Sequence, residues 1–531
     1  MSSCPTIWRS SGSSRGARPS RPLAQLWGAA RCSQGVLWSR RQPLLPARPR
    51  PAARAPSVRR APAARLAAAA IVGLALALAP AVASARNLAH THARNARGPS
   101  VHGPSVSAAL LGLEQSGAIT PTSHQHDYSA YLAAKRSLGR LAGTRRAELG
   151  AVLANLQAIA AAGGFTPSRL PALFLTLERN RQWWTTEPLL ANGARVSFAP
   201  SKIVWEYYAG QGIEIQWLAT FGKANGYFLG HENANLRQLL GEVLPLASSR
   251  AGGIAWEYEF RFDGGRPPWT SGLSQGTALQ ALSRAYARFK EPALLTAAQK
   301  ALGVFRSSPP AGVRVRTPLG AHYAEYSYAP ADRILNGFIQ ALVGLYDYTS
   351  ISKDPAGLAL FQAGDAEARA EVPRYDTGAW SLYDQFSESS LNYHQLLTEF
   401  LQHLCERTRK GPPLAQAGSA PIAGDEIYCS TARRFTADLS TPPQIALLTK
   451  ALRGATRAGV QLSLSKISTV AMTVRQGARV VWSNRATLER GRPRLLWPTP
   501  AGGGTYAVTL AATDPAGNFA TTSGRIVVSR H

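Results

Sequence analysis

The chain has 531 residues, with 59 Lys and Arg against 30 Asp and Glu, for a formal charge of +29. That length suffices for two or three domains, and an apolar fraction of 45% excludes a wholly disordered polypeptide. The charge excludes an acidic surface and suits anionic partners such as polyuronates, sulfated glycans, teichoic acids or nucleic acid, unless it reflects only an Arg-rich codon bias.

Residues 1–65 are rich in Arg, Pro, Ser and Ala and show no helical period. Before Arg86 there are 13 arginines and no Lys, Asp or Glu, which leaves +16 for the body. The run Leu66–Ala85 is almost wholly apolar, follows Arg59, Arg60 and Arg65, and closes on Ala83-Ser84-Ala85. A basic flank, an apolar stretch and an A-x-A site make a secretory signal peptide within a leader of residues 1–85, with a translation start expected internally, near Val58. About 20 apolar residues also suffice for an uncleaved membrane anchor. Export would remove nucleic acid from the partners. Residues 86–124 read as a linker with at most one short helix, Val106–Glu114. Its scattered histidines, together with His126, are read as solvated rather than as metal ligands.

A helical body is expected over residues 125–437. Leu149, Val152, Leu153, Leu156 and Ile159 form one helical face, with Thr144 as N-cap and Gly163-Gly164 as stop. Thr166-Pro167 opens a second helix, with Leu170, Leu173, Phe174 and Leu177 inward. Gly210 and Gly212 flank Gln211, suggesting a tight turn into a helix at Ile213–Phe221. Leu236, Leu239, Leu240, Val243 and Leu244 form a third stripe. Over Ile254–Phe262 aromatics alternate with Glu257, Glu259 and Arg261, the pattern of a half-buried strand in an inserted hairpin. Helices then resume through Leu279–Phe289, Pro292–Phe305 and Ile334–Leu345. Repeated helix pairs on short loops indicate antiparallel neighbours.

Cys4 and Cys32 fall in the leader, so Cys405 and Cys429 are the body's two cysteines. Outside a reducing compartment they either form a disulfide, contributing about 3 kcal/mol, or remain buried thiols. No ligand spacing accompanies them and no calcium-loop pattern occurs, so neither metal nor cofactor is expected.

Between Tyr323 and His394, tyrosine repeatedly adjoins an acid, at Glu325–Tyr326, Tyr346–Asp347, Tyr375–Asp376 and Tyr383–Asp384. Phenol beside carboxylate is the chemistry of hydrogen-bonded proton transfer. The same region carries WTSGLSQGTALQALSRAY at Trp269–Tyr286, AEY at Ala324–Tyr326, LNGF at Leu335–Phe338, GLYD at Gly344–Asp347, YDTG at Tyr375–Gly378, LYD at Leu382–Asp384 and NYH at Asn392–His394. In this order and spacing the fragments resemble the C-terminal domain of the D-glucuronyl C5-epimerases, over roughly a quarter of the chain. The stretch Trp205–Asn225 extends the resemblance upstream through Tyr207, Tyr208, Gln216 and Gly222.

The resemblance implies an α/α toroid with a sugar chain across its cleft. It also implies an enzyme that removes the C5 proton of a glucuronate unit and returns one to the opposite face. Such a reaction needs a base, an acid and donors for the enolised carboxylate. By resemblance Tyr326, Tyr383 and Tyr393 fall on the family's active-site tyrosines and Glu325 on its neighbouring glutamate. Glu325 and Tyr393 are read as the acid/base pair, and Tyr326 and Tyr383 as carboxylate-binding. The phenols would suit this role if nearby cations or hydrogen bonds lowered their pKa. Tyr207, Tyr208, Gln216, Trp269, Gln275, Tyr328, Asn336 and His394 are the expected substrate-binding residues; the alternative for the aromatics is helix packing. His394 would orient Tyr393 or act as a spare acid. Tyr323 and Tyr375 are weaker candidates, and Asp376 and Asp384 read as turn residues. Two departures stand out. Tyr383-Asp384 is followed by Gln385-Phe386, without the family's sugar-holding Arg, and Leu397 replaces a histidine. Competing readings are a polysaccharide lyase, which begins with the same proton removal, and a non-catalytic glycan-binding protein of the envelope.

Residues 432–439 continue a helix, and Pro442-Pro443 mark a boundary. From Gly459 short β-branched runs at 460–464, 470–474, 479–483, 506–512 and 525–529 alternate with turns, Asp514–Asn518 being a hairpin turn. Residues 443–531 therefore read as a small β-sandwich, similar to the Ig-like modules of exported bacterial proteins.

Overall fold

The computed structural model describes residues 103–414 and 426–530. The leader, the apolar run Leu66–Ala85, and His90, His92 and His102 lie outside them. Among the described residues no helix is long and apolar enough to cross a membrane.

Four helices open the body: α1 (Val106–Gln115), α2 (Pro121–Arg140), α3 (Gly143–Ala161) and α4 (Leu170–Thr186). Val106 and Leu110 are fully buried, and Gln157 of α3 accepts from the Val106 amide at 3.2 Å. The expected linker therefore ends earlier than residue 124, because α1 uses its apolar face to cover α3. His124 pairs with Glu114 at 2.7 Å and His126 with Asp127 at 3.0 Å. Thr144 lies inside α3, whose N-cap is Ala142 with no side-chain hydrogen bond. Gly163, at φ 69°, ends that helix as expected.

A three-stranded antiparallel sheet follows, of β1 (Arg195–Val196), β2 (Trp205–Tyr208) and β3 (Gly212–Ile215). This corrects the helix expected from Ile213: the glycines make a β-hairpin turn, and the next helix, α5 (Trp217–Leu229), starts after Gln216 caps it. Gly212 sits at φ 94°, and a Cβ there would meet the Asn180 side chain at 2.7 Å. Helix α6 (Asn233–Val243) leads to the short hairpin β4 (Ser248–Arg250) and β5 (Gly253–Ala255). Beyond β5 the chain runs extended, with isolated bridges Tyr258–Trp269 and Phe262–Gly265. The expected half-buried strand is buried on both faces: Glu257 and Glu259 are 2% and 7% exposed. Glu257 can be buried because Arg169 donates to it at 2.7 Å and Arg250 also pairs with it.

The remaining body comprises α7 (Gly272–Phe289), α8 (Pro292–Arg306), the hairpin β6 (Arg314–Arg316) and β7 (Ala321–Tyr323), α9 (Leu335–Ser352), α10 (Pro355–Glu371), α11 (Leu391–Thr408) and α12 (Glu426–Asp438). Helices α5, α7, α9 and α11 pack in sequence side by side, while α6, α8, α10 and α12 each pack on the helix before them. Residues all around α7 and α9 are buried, as expected for an inner row. Close approach needs glycine: a Cβ on Gly344 of α9 would lie 2.0 Å from the Gly276 carbonyl of α7. Asp347, from the GLYD fragment, receives Arg407 at 2.6 and 2.7 Å and Gln280 at 2.9 Å, which ties α9 to α11 and α7. Cys405 and Cys429 form a disulfide between α11 and α12.

The C-terminal region is β-rich: β8 (Ile445–Leu447), β9 (Ala451–Arg453), β10 (Arg457–Leu464), β11 (Ser468–Gln476), β12 (Arg479–Leu488), β13 (Arg494–Pro498), β14 (Gly504–Thr513) and β15 (Phe519–Ser529). One sheet has the order β13-β10-β8 and the other β12-β11-β14-β15-β9. Both contribute to a single apolar core around Val460, Val470, Trp497, Val508 and Ile526. The turn Asp514–Asn518 joins β14 and β15, with Asp514 accepting from the Asn518 amide at 2.8 Å. Lys466 and Asp514 form a fully buried ion pair at 2.8 Å. The Lys466 ammonium also donates to the Asp438 and Thr441 carbonyls, at 2.9 and 2.5 Å.

Candidate functional site

Strand period two decides which tyrosine of β2 reaches the site. Tyr207 turns toward α3 and α4, where it donates to Glu148 at 2.8 Å and packs edge-on against Trp184. Tyr208, with Glu206 on the same face, lines a cavity of about 50 Å³. Tyr207 is therefore a packing residue and not a ligand of this cavity.

The cavity has four further walls. Gln216, before α5, accepts from Tyr258 at 3.0 Å and donates to Tyr208 at 2.7 Å. Tyr258 also meets the Ser274 hydroxyl at 2.7 Å. Phe260, Phe262 and Trp269 form an aromatic wall, with Trp269 stacked on Tyr258 at 4.3 Å. Ser271 and Ser274 bring the N-terminal turn of α7 to the cavity, and Glu325, Tyr326 and Tyr393 complete it. Tyr383 lies behind, its ring 4.6 Å from that of Tyr393. The four expected acid/base and carboxylate-binding residues thus meet, although 68 positions separate Glu325 from Tyr393 in sequence.

Glycine makes this possible at one point. A Cβ on Gly337 would lie 2.6 Å from Glu325 Oε2, and that oxygen has no hydrogen-bond partner. Burial pushes the Glu325 carboxyl up to about 7, against the contact with the Tyr326 hydroxyl that pulls it down. Burial also drives the Tyr326, Tyr383 and Tyr393 phenols above their ordinary range, reinforced by the Glu325 charge. The condition of a lowered phenol pKa is not met: burial outweighs the hydrogen bonds among these phenols, and among the described residues no Arg, Lys or His lines the cavity. At neutral pH the phenols are protonated donors, and the Glu325 carboxyl sits near its midpoint.

The other expected ligands divide. Trp269, Tyr208 and Gln216 line the cavity. Tyr328 stands outside it, edge-on to Trp269 at 5.3 Å and stacked on Tyr326. Gln275 is buried in α7 and donates to the Trp256 carbonyl at 3.0 Å. Asn336 is 1% exposed and does not line the cavity. His394 is stacked on Trp380 at 3.7 Å, with Nδ1 against Ser381 and Nε2 donating to the Phe435 carbonyl at 2.8 Å. Burial lowers its pKa to about 4, so His394 is a neutral structural residue and neither a spare acid nor a cavity group. Tyr323 donates to the Leu360 carbonyl, and Tyr375 to that of Arg333. Asp376 and Asp384 are turn residues, accepting from the Gly378 and Phe386 amides at 2.8 Å.

Sequence reasoning missed Glu206, Tyr258, Phe260, Ser271 and Ser274. The signal for Glu206 was its spacing two residues before Tyr208, readable only once the Gly210–Gly212 turn is taken as a hairpin. Glu206 is 1% exposed and pairs with Arg195 of β1 at 2.8 Å. Burial outweighs Arg195 and Tyr208 and places its pKa at about 7.

The segment holding Tyr258, Trp269, Glu325, Tyr326 and Tyr393 is similar to carbohydrate epimerases. Residues 251–413 match the family described as D-glucuronyl C5-epimerase C-terminus. The D-glucuronyl C5-epimerase of Caenorhabditis elegans is 33% identical over 131 residues, covering 22% of this chain and 21% of that protein. An uncharacterized protein of Methanocaldococcus jannaschii is 26% identical over 151 residues, covering 27% of this chain and 49% of its own. The chain thus spans about a fifth and about half of these curated relatives' lengths. Among solved structures, a sugar epimerase from a ruminal bacterium overlaps 42% of this chain and 58% of its own, at 11% identity and a TM-score of 0.30. A glycosyl hydrolase family 88 protein from Bacteroides vulgatus overlaps 59% and 84%, at 13% identity and a TM-score of 0.30.

Proposed function

We propose that the protein is a uronyl C5-epimerase acting on glucuronate-type residues within an anionic polysaccharide. The observation that carries this reading is the meeting of Glu325, Tyr326 and Tyr393 on one cavity, backed by Tyr383. Glu325, with a pKa of about 7, is the base that takes the C5 proton. Tyr393, a phenol kept protonated by burial, returns a proton to the other face. Tyr326 donates to the enolised carboxylate as charge develops there. The sugar's own carboxylate, without an arginine in the walls, meets the Ser271 and Ser274 hydroxyls at the positive end of α7. Trp269, Phe260 and Phe262 offer apolar faces to the ring.

The inner and outer helix rows fit an α/α toroid, and the two C-terminal sheets fit an Ig-like β-sandwich, over residues 125–437 and 443–531. Export through the leader, by a cleaved signal or a retained anchor, would place the enzyme where such polymers occur.

The test is incubation with candidate polyuronates in deuterated water, followed by NMR at C5. Deuterium uptake that Tyr393→Phe and Glu325→Gln each abolish is the expected result. Uptake persisting in both variants would refute the assignment, and a 4,5-unsaturated product absorbing in the ultraviolet would replace epimerisation by elimination.

A further inference from the structure

The β1–β3 sheet brings to the cavity a second carboxyl that the reaction as described does not use. Alternation along β2 sends Trp205 and Tyr207 to one side and Glu206 and Tyr208 to the other. Glu206 and Tyr393 border the same cavity of about 50 Å³, a space that one or two water molecules or sugar hydroxyls cross. Arg195, paired with Glu206 at 2.8 Å, has a side chain 34% exposed, whereas that of Glu206 is 1% exposed. The pair therefore runs from solvent to the cavity wall. The charged and titratable groups facing Glu206 are Arg195 from β1, Tyr208 on its own strand, Glu214 directly across on β3, Tyr258 from the extended segment, and Tyr393 from α11.

A phenol raised by burial cannot remain a phenolate after giving up its proton. We propose that Glu206 is a relay group that re-protonates Tyr393 and regains its own proton from water beside the part-exposed Arg195. This inference rests on the epimerase reading. In the step, the Glu325 carboxylate takes the C5 proton and the electron pair moves into the substrate carboxyl. The Tyr393 O–H proton goes to C5 on the opposite face. The Glu206 O–H proton then passes to the Tyr393 oxygen, directly or through one water, leaving a Glu206 carboxylate opposite Arg195. Glu206 regains a proton from solvent, and Glu325 releases the one it took.

The start of the cycle needs Glu325 ionised and Glu206 protonated, so turnover is bell-shaped in pH, with the acid limb set by Glu325 and the alkaline limb by Glu206. Glu206→Gln should lower kcat about 100-fold and abolish the alkaline limb. Glu206→Asp, which keeps the carboxyl, should retain that limb. Arg195→Met removes the neighbouring cation and should move the limb to higher pH. An alkaline limb unchanged in Glu206→Gln, or a rate within about threefold of wild type, overturns the relay while leaving the epimerase reading intact. No deuterium uptake by the wild-type protein would instead overturn the epimerase reading, and the relay with it. A readout independent of turnover is the infrared carbonyl stretch of a protonated carboxyl. In the difference spectrum against Glu206→Gln, which removes the signals of the other buried carboxyls, it should be present at pH 6 and lost at pH 8 in wild type, and persist at pH 8 in Arg195→Met. A spectrum that Glu206→Gln leaves unchanged overturns the proposal even if the variant is inactive.

Discussion

Replacing Glu325 by glutamine should stabilise the protein at alkaline pH while removing its base. Burial raises this carboxyl from 4.5 to about 7, a shift in the direction that penalises the folded state. Below about pH 4.5 the folded and unfolded chains both hold the proton. As pH rises, the unfolded chain releases it first, so stability falls between about 4.5 and 7 and the loss is complete above. Two and a half units at about 1.4 kcal/mol each give ~3 kcal/mol. Glutamine has the same shape and no proton to lose. Its amide adds a donor where Oε2 finds no partner, which costs about 1–3 kcal/mol at every pH. The difference between two pH values therefore isolates the ionisation. Urea unfolding at pH 5 and pH 8 should show wild type losing about 2–3 kcal/mol more than Glu325→Gln across that interval. Parallel losses in the two proteins would mean that Glu325 is solvated, and the argument for a base tuned by burial would fail.

Gly337→Ala puts a methyl group 2.6 Å from Glu325 Oε2; deuterium uptake should fall about 100-fold with stability changed by no more than about 2 kcal/mol, as read by uptake rate and urea midpoint. Lys466→Met strands the fully buried Asp514 carboxylate and should cost about 3–5 kcal/mol, with Lys466→Met/Asp514→Asn recovering part of it in the same unfolding assay. Reduction of Cys405–Cys429, which spans a sequence separation of 24, should cost about 3 kcal/mol, measured as a denaturant midpoint with and without reductant.

Helices with a clean period were legible. The stripe from Leu149 to Ile159 lies in α3 and Gly163 follows its C-cap, and Pro292 starts α8. The β-branched runs after Gly459 became β10, β11, β12, β14 and β15, whereas β13 (Arg494–Pro498), with Leu495 and Trp497 inward, was missed because prolines border it. The hairpin before α5 was misread for a physical reason: Trp205–Tyr208 is buried on both faces, so no alternation marks it as a strand. Glu257 and Glu259 alternate with aromatics as if facing water, yet Arg169 and Arg250, 88 and 7 positions from Glu257, neutralise it inside. Pairing between distant residues leaves no local trace. The same limit explains His394, whose place beside Tyr393 suggested chemistry and whose ring is claimed by Trp380, Ser381 and Phe435.

The family segment, residues 251–413, does not build the cavity alone. Upstream of it, β2 and Gln216 supply Glu206, Tyr208 and the amide that links Tyr208 to Tyr258. Downstream, the β-rich region holds the loop that carries Tyr383. Glu388, at the end of that loop, accepts from the Ile467 and Arg490 amides at 3.2 and 3.1 Å. Trp380, at its start, lies between the His394 ring and the Lys466 ammonium, which sits 5.1 Å from the indole centroid. Within the loop Tyr383 is fixed by its backbone, donating to the Ser387 carbonyl at 2.8 Å and accepting from Leu335 at the start of α9. Its hydroxyl interacts with those of Tyr326 and Tyr393, so those phenols, ring packing against Tyr393 and the anchored backbone together decide where it stands. A chain of contacts thus runs from Lys466 through Trp380 and the loop to the proposed acid/base cluster. Proton transfer tolerates displacements well under 1 Å, so under the proposed reaction the C-terminal β-rich region would help to hold the reacting groups in register.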